Sequence, residues 1–125
     1  MDRKDYHLGI DLGSVSLKVV LLNSKNEILF ERWVRVSGDP LTAVSRVLLE
    51  LNSEHPEKNI SSIGVTGSGR GLIAGAIEAK LVNEISAHAA AASKLYSNVR
   101  TIIEIGGQDS KLVILNDTGD IKDFR

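Results

Sequence analysis

The chain has 125 residues, 42% of them hydrophobic and 25% charged, and Lys plus Arg (15) against Asp plus Glu (16) leaves a net charge of −1. This is the balance of one folded domain rather than of a disordered or collagen-like chain, and it supplies no global field for nucleic acid or an anionic membrane. No apolar run approaches the roughly 20 residues of a membrane span, residues 1–6 do not read as a secretory leader, and the absence of cysteine excludes disulfides, thiolate catalysis and thiolate-held metal within these residues.

In chain order, residues 7–12 read as a strand, 13–16 as a turn, and 17–22 (LKVVLL) as a second strand whose nearly unbroken apolar run suggests burial on both faces. The polar stretch Asn23-Ser24-Lys25-Asn26 makes a hairpin into a third strand at 27–36. Asp39 is a candidate N-cap with Pro40 at the first helical position. Leu41, Val44, Val47, Leu48 and Leu51 then form one apolar helical face, which His55-Pro56 ends. A strand at 60–66 turns through Gly67-Ser68-Gly69-Arg70-Gly71 into a helix near 72–79, with a brief strand at 81–82. Asn83 caps a helix through Leu95, and strands follow at 100–105 and 111–115, with a last turn at 117–120. The order βββ-α-β-α-(β)-α-βββ predicts an α/β layered domain with a mixed sheet.

The chain also repeats. Shifted by 93 positions, residues 10–32 fall on 103–125 with eight identities in 23 ungapped positions, where composition predicts roughly one or two. Ile10, Gly13, Lys18 and Asn23 meet Ile103, Gly106, Lys111 and Asn116, while Asp11 meets Glu104. The second copy stops where the helix of the first would begin, so the expected division is a complete lobe over 1–98 and the opening meander of a second over 99–125.

The run Asp11-Leu12-Gly13-Ser14-Val15-Ser16-Leu17-Lys18 joins two strands, so it is neither a P-loop nor a dinucleotide fingerprint. A tight hairpin can still bind phosphate. Gly13 admits close backbone approach, Ser14 and Ser16 add hydroxyls, Lys18 adds a point charge, and Asp11 suits a hydrated magnesium ion. An ordinary hairpin with a surface lysine has the same pattern. Glu104-Ile105-Gly106-Gly107-Gln108-Asp109-Ser110-Lys111 repeats the logic, and two such hairpins facing each other would grip a polyphosphate. In Asn83-Glu84-Ile85-Ser86-Ala87-His88, Glu84 occupies a first helical turn and shares a face with His88. It suits either a plain capped helix or a carboxylate that orients or activates water. No HExxH zinc pair is present. The glycines around Arg70 read as a strand-to-helix turn or as a helix start approached by a ligand or partner.

These pieces, in this order, resemble the actin/Hsp70/sugar-kinase superfamily, and within it the BadF/BadG/BcrA/BcrD ATPase family of activators of 2-hydroxyacyl-CoA dehydratases and benzoyl-CoA reductases. GIDLGS, VTGSGR, NEISAHAAAA and IIEIGGQDSK carry the resemblance. It implies an RNase H-like, actin-like ATPase lobe with a mixed sheet, plus the opening meander of a similar second lobe. It implies phosphate binding by Gly13, Ser14, Ser16, Lys18, Gly106, Gly107 and Gln108, hydrated magnesium at Asp11, Glu104 and Asp109, and Glu84 placing the water. It further implies a cytoplasmic homodimer that binds ATP and ADP and, with a 4Fe–4S cluster held by cysteines of a longer protein, drives an electron into a partner acyl-CoA dehydratase or reductase. The family's C-A-A-G-T-G cluster segment would follow Arg125, so the expected activity is that of the longer protein. Glu104 stands where the family often has Asp. A small-molecule kinase of the same superfamily and a non-catalytic nucleotide-sensing module are the alternative expectations. Lacking cover, the apolar side chains of 101–125 are expected to drive self-association as a two-fold dimer or to fold back against the helix at 86–95.

Overall fold

The computed structural model describes residues 5–56, 59–106 and 109–125. By packing, the chain forms two units, Met1–Leu81 and Val82–Arg125. The first contains β1 (Tyr6–Leu12), β2 (Ser16–Leu22), β3 (Ile28–Arg35), α1 (Pro40–Glu54), β4 (Ile60–Thr66), α2 (Arg70–Ala74) and β5 (Lys80–Leu81). Its sheet runs β3-β2-β1-β4-β5. The β1–β2 and β2–β3 pairs are antiparallel and the β1–β4 and β4–β5 pairs parallel. This is the expected mixed sheet.

Period-2 alternation decides which side is core. Leu8, Ile10 and Leu12 lie across from Leu21, Val19 and Leu17. All six are buried, beneath Val44, Val47 and Leu51 of α1 and Ile73 of α2. The other side carries Gly9, Asp11, Lys18 and Val20. β2 is therefore not buried on both faces, as its apolar run suggests. Lys18 is exposed, and Val20 and Leu22 are only half-buried. Arg32 ties β3 to α1, pairing with Glu50 and Glu54 one helical turn apart while its guanidinium lies 4.4 Å from the Phe30 ring centroid.

The helix α1 begins as its sequence dictates. Asp39 accepts hydrogen bonds from the Thr42 backbone N–H (3.2 Å) and hydroxyl (2.6 Å), with Pro40 following. By contrast α2 is only Arg70–Ala74, shorter than the expected 72–79. Gly75 ends it, and Ile77 and Ala79 reach the core from a turn instead of a helix. Helical spacing and a buried irregular segment give the same apolar pattern over so few residues.

The second unit contains α3 (Glu84–Leu95), β6 (Thr101–Ile105), β7 (Ser110–Leu115) and β8 (Ile121–Phe124), with the strands in an antiparallel sheet. Ala89 of α3 packs on Val113 and Leu115, with Ile85, Val99 and Ile102 around them. The opposite side leaves Ile103 and Ile105 70% and 82% exposed. The expected division at 98/99 follows the repeat, whereas the break in packing falls between Leu81 and Val82 because α3 lies on the second sheet.

The repeat is structural down to its hydrogen bonds. Asp11 faces Lys18 as Glu104 faces Lys111. The register shifts between Leu21 and Leu22, and again 93 residues later between Ile114 and Leu115. The Asn23 side chain accepts from the N–H of Lys25 and Glu27, as that of Asn116 does from Thr118 and Asp120. Asn26 (φ 63°) and Gly119 (φ 87°) take the same left-handed position.

The Asp39 cap gives a pH-dependent prediction. The Thr42 hydroxyl first, then the Thr42 N–H, holds its carboxyl below the ordinary value of 3.8. A lowered pKa stabilises the fold above the unfolded value and is lost as pH falls through the folded one. Asp39→Ala should therefore lower the melting temperature at pH 7, and the gap to wild type should close well below pH 4. A gap that persists undiminished in acid would contradict this origin.

Candidate functional site

Two hairpins, one in each unit, gather most of the residues singled out by sequence. In the first, the Gly13 N–H donates to the Ser16 carbonyl at 2.9 Å and closes the turn. The Val36 N–H donates to Val15 O at 2.8 Å and pins the tip to the end of β3. Below the turn, Lys18 Nζ lies 3.6 Å from Asp11 Oδ2, with the two side chains 55% and 36% exposed. Such an open pair adds little stability, roughly 0–1 kcal/mol, which leaves the lysine free to exchange partners.

The base of this hairpin is braced by the Gly67-Ser68-Gly69-Arg70 turn. Gly67 has φ +95°, and a Cβ there would stand 2.3 Å from Leu12 O and 2.6 Å from Asp11 Oδ1. The Gly69 N–H donates to Leu12 O at 2.8 Å, and a Cβ at Gly69 would meet the Leu12 side chain at 2.7 Å. Arg70 bends back to donate to Gly67 O at 2.9 Å. The close approach that these glycines permit is thus to the chain's own β1. Sequence reasoning saw the turn but not its partner, because only the parallel β1–β4 pairing brings Asp11 beside Thr66.

In the second hairpin the Gly106 N–H donates to Asp109 O at 2.9 Å, as its counterpart does in the first. Neither Gly13 nor Gly106 has positive φ. Their value is space: a Cβ on Gly106 would come within 3.2 Å of Glu104 Oε1. Gly107 and Gln108 lie outside the described residues. Asn83 caps α3 by accepting from Ile85 N–H at 2.8 Å and so sets Glu84 in the first turn. Glu84 pairs not with His88 but with Lys111, at 3.4 Å, and Lys111 also reaches Asp109 Oδ1 at 3.3 Å. The Asp109 hydrogen bond leads in raising the Lys111 ammonium above its ordinary 10.5, with Glu84 adding to it.

Among the described residues, two buried side-chain oxygens have no hydrogen-bond partner, and both sit at these hairpins: Thr66 Oγ1 beside Asp11, and Glu104 Oε2. Leaving such a group unpaired costs about 1–3 kcal/mol. No three acids or histidines among the described residues converge as a ready metal cage. A magnesium ion that keeps its waters would meet carboxylates through them, and the unpartnered Glu104 oxygen is chemically suited to accept from such a water. The chain has no cysteine, so none of its residues fits a 4Fe–4S cluster.

The profile of the BadF/BadG/BcrA/BcrD ATPase family matches residues 8–125. The chain is 37% identical over 111 residues to the (R)-2-hydroxyglutaryl-CoA dehydratase activating ATPase of Acidaminococcus fermentans, covering 86% of this chain and 42% of that protein. It is 40% identical over 122 residues to the activator of lactoyl-CoA dehydratase of Anaerotignum propionicum, covering 95% and 46%. The structure of the Clostridium difficile activator of 2-hydroxyisocaproyl-CoA dehydratase with bound ADPNP superposes with a TM-score of 0.82 at 33% identity, covering 96% of this chain and 44% of that one. The chain thus spans less than half the length of these relatives.

The glycine brace is testable by stability alone. Gly67→Ala adds a methyl against backbone at a left-handed position and should cost about 2–4 kcal/mol in urea unfolding. Gly71→Ala, in open space within α2, should be neutral or stabilising by up to about 1 kcal/mol. Equal effects at the two positions would contradict the brace.

Proposed function

The chain belongs to the BadF/BadG/BcrA/BcrD ATPase family, and from that premise we propose that it is the ATP-binding N-terminal part of a 2-hydroxyacyl-CoA dehydratase-type activase. ATP hydrolysis in the whole protein drives electron transfer to a partner dehydratase or reductase. The observation that carries this reading is the duplicated hairpin: acid, glycine turn and lysine in one register, twice.

Gly13, Ser14, Ser16 and Lys18 in one hairpin, and Gly106, Gly107 and Gln108 in the other, bind phosphate oxygens through backbone N–H groups, hydroxyls, the side-chain amide and the ammonium charge. Asp11, Glu104 and Asp109 hold hydrated magnesium. The metal, when bound with ATP, neutralises charge on the phosphates. Glu84 orients the attacking water and accepts its proton. The partly buried position of Glu84, beside the hairpin that carries Glu104, supports that role.

Three variants of the full-length protein test these roles by ATP hydrolysis and Mg-ATP binding. Lys18→Ala and Gly106→Val should each abolish hydrolysis, the first by removing charge from the phosphates and the second by crowding Glu104. Glu84→Gln should keep binding and slow turnover, on the order of 100-fold or more. Wild-type turnover in the first two would sink the phosphate assignment, and equal loss of binding in Glu84→Gln would make that residue structural.

A homodimer is part of the same proposal. The exposed Ile103 and Ile105 form an apolar face on the second sheet, of the kind soluble monomers keep small. Light scattering of the 125-residue chain should give twice 13.5 kDa. A clean monomer at high micromolar concentration would refute self-association through this face.

A further inference from the structure

Lys18 and Lys111 are equivalent by the repeat, and each sits across from an acid in the neighbouring strand. Their surroundings differ. Lys18 turns to its own cross-strand partner Asp11, and its side chain is 55% exposed. Lys111 is 24% exposed and turns away from Glu104 to Glu84 Oε2 at 3.4 Å and Asp109 Oδ1 at 3.3 Å. Glu104 Oε2 is left buried without a partner.

The cause lies in what covers each face. In the first unit α1 and α2 pack on the side opposite Lys18. In the second unit α3 packs on the side that carries Lys111 and brings its first-turn carboxylate there. An ammonium has three donors. Two of them already serve carboxylates, one from the helix and one from the turn. The third donor is left, but the ammonium charge is already engaged by both carboxylates, so a phosphate would have to compete with them for Lys111.

We propose that Lys111, itself anchored by Asp109, is a positioning residue, which holds the Glu84 carboxylate in place for ATP hydrolysis, and is not a second phosphate-binding cation. This rests on the ATPase reading above and assigns the two lysines of the repeat to different tasks.

The test is carried out on the full-length protein, measuring ATP hydrolysis and Mg-ATP affinity for wild type, Lys111→Met, Lys111→Gln, Lys111→Arg, Glu84→Gln and the Lys111→Met/Glu84→Gln double variant. Removing the ammonium should lower kcat at least about ten-fold and change the Mg-ATP Kd by less than about two-fold, because only the placement of Glu84 is lost. Lys111→Arg, which can still bridge two carboxylates, should recover most of the rate. The double variant should be no slower than Glu84→Gln alone, since the lysine acts through that group. If Lys111→Met does not fold, Lys111→Gln carries the same comparison.

A Kd weakened about ten-fold or more with kcat kept at saturation would make Lys111 a phosphate ligand and overturn the proposal. So would multiplicative losses in the double variant, or an unchanged kcat. A wild type that hydrolyses no ATP would overturn the ATPase reading and this inference together, whereas the preceding outcomes, seen on an active wild type, overturn only the role of Lys111.

Discussion

A one-residue slip of β2 against β1 would turn Leu17, Val19 and Leu21 toward the open side of the sheet and drive Lys18 beneath α1. Strand periodicity makes that an all-or-none exchange, and the buried leucines forbid it by their exposure of 0%. The same register that buries the aliphatic face therefore delivers an acid and a lysine to the other face, just below a glycine turn. In the second hairpin the same register sets Glu104 across from Lys111, but on the side that α3 covers. Core packing and candidate chemistry are two consequences of one alignment, set at its far end by asparagine turns that hydrogen-bond alike in both copies.

The surrounding elements refine what the register provides. The Gly67–Gly69 turn seals the end of β1 by backbone contact with Leu12 and so fixes where Asp11 leaves the sheet. The helix α3 does the equivalent for the second hairpin through Glu84 and Lys111. One brace is made of backbone and steric fit, the other of charge. The first tolerates no added methyl at Gly67 or Gly69, while the second depends on the charge of Lys111.

Much of this is legible in the residues themselves. Local signals were sufficient wherever a structure closes on itself: the Asp39-Pro40 start of α1, the Asn83 cap of α3, and the 93-residue repeat whose identities predict the matched registers. Where partners are distant, the residues were silent. Nothing near Gly67 announces Leu12 as its neighbour, and nothing near Lys111 announces Glu84, 27 positions away. The length of α2 and the one-sided burial of β2 escaped for a related reason. A short apolar run does not say whether its cover is a helix, a turn or another unit, and Gly75 ends the helix while its apolar neighbours still serve the core.

The account turns on the two hairpins being one device used twice. Its most direct measurement is a Mg-ATP titration of the full-length protein followed by backbone amide NMR. The account predicts that amides of Gly13, Ser14 and Ser16 and of Gly106 shift together, with one dissociation constant. Shifts confined to one hairpin, or two dissociation constants, would contradict it.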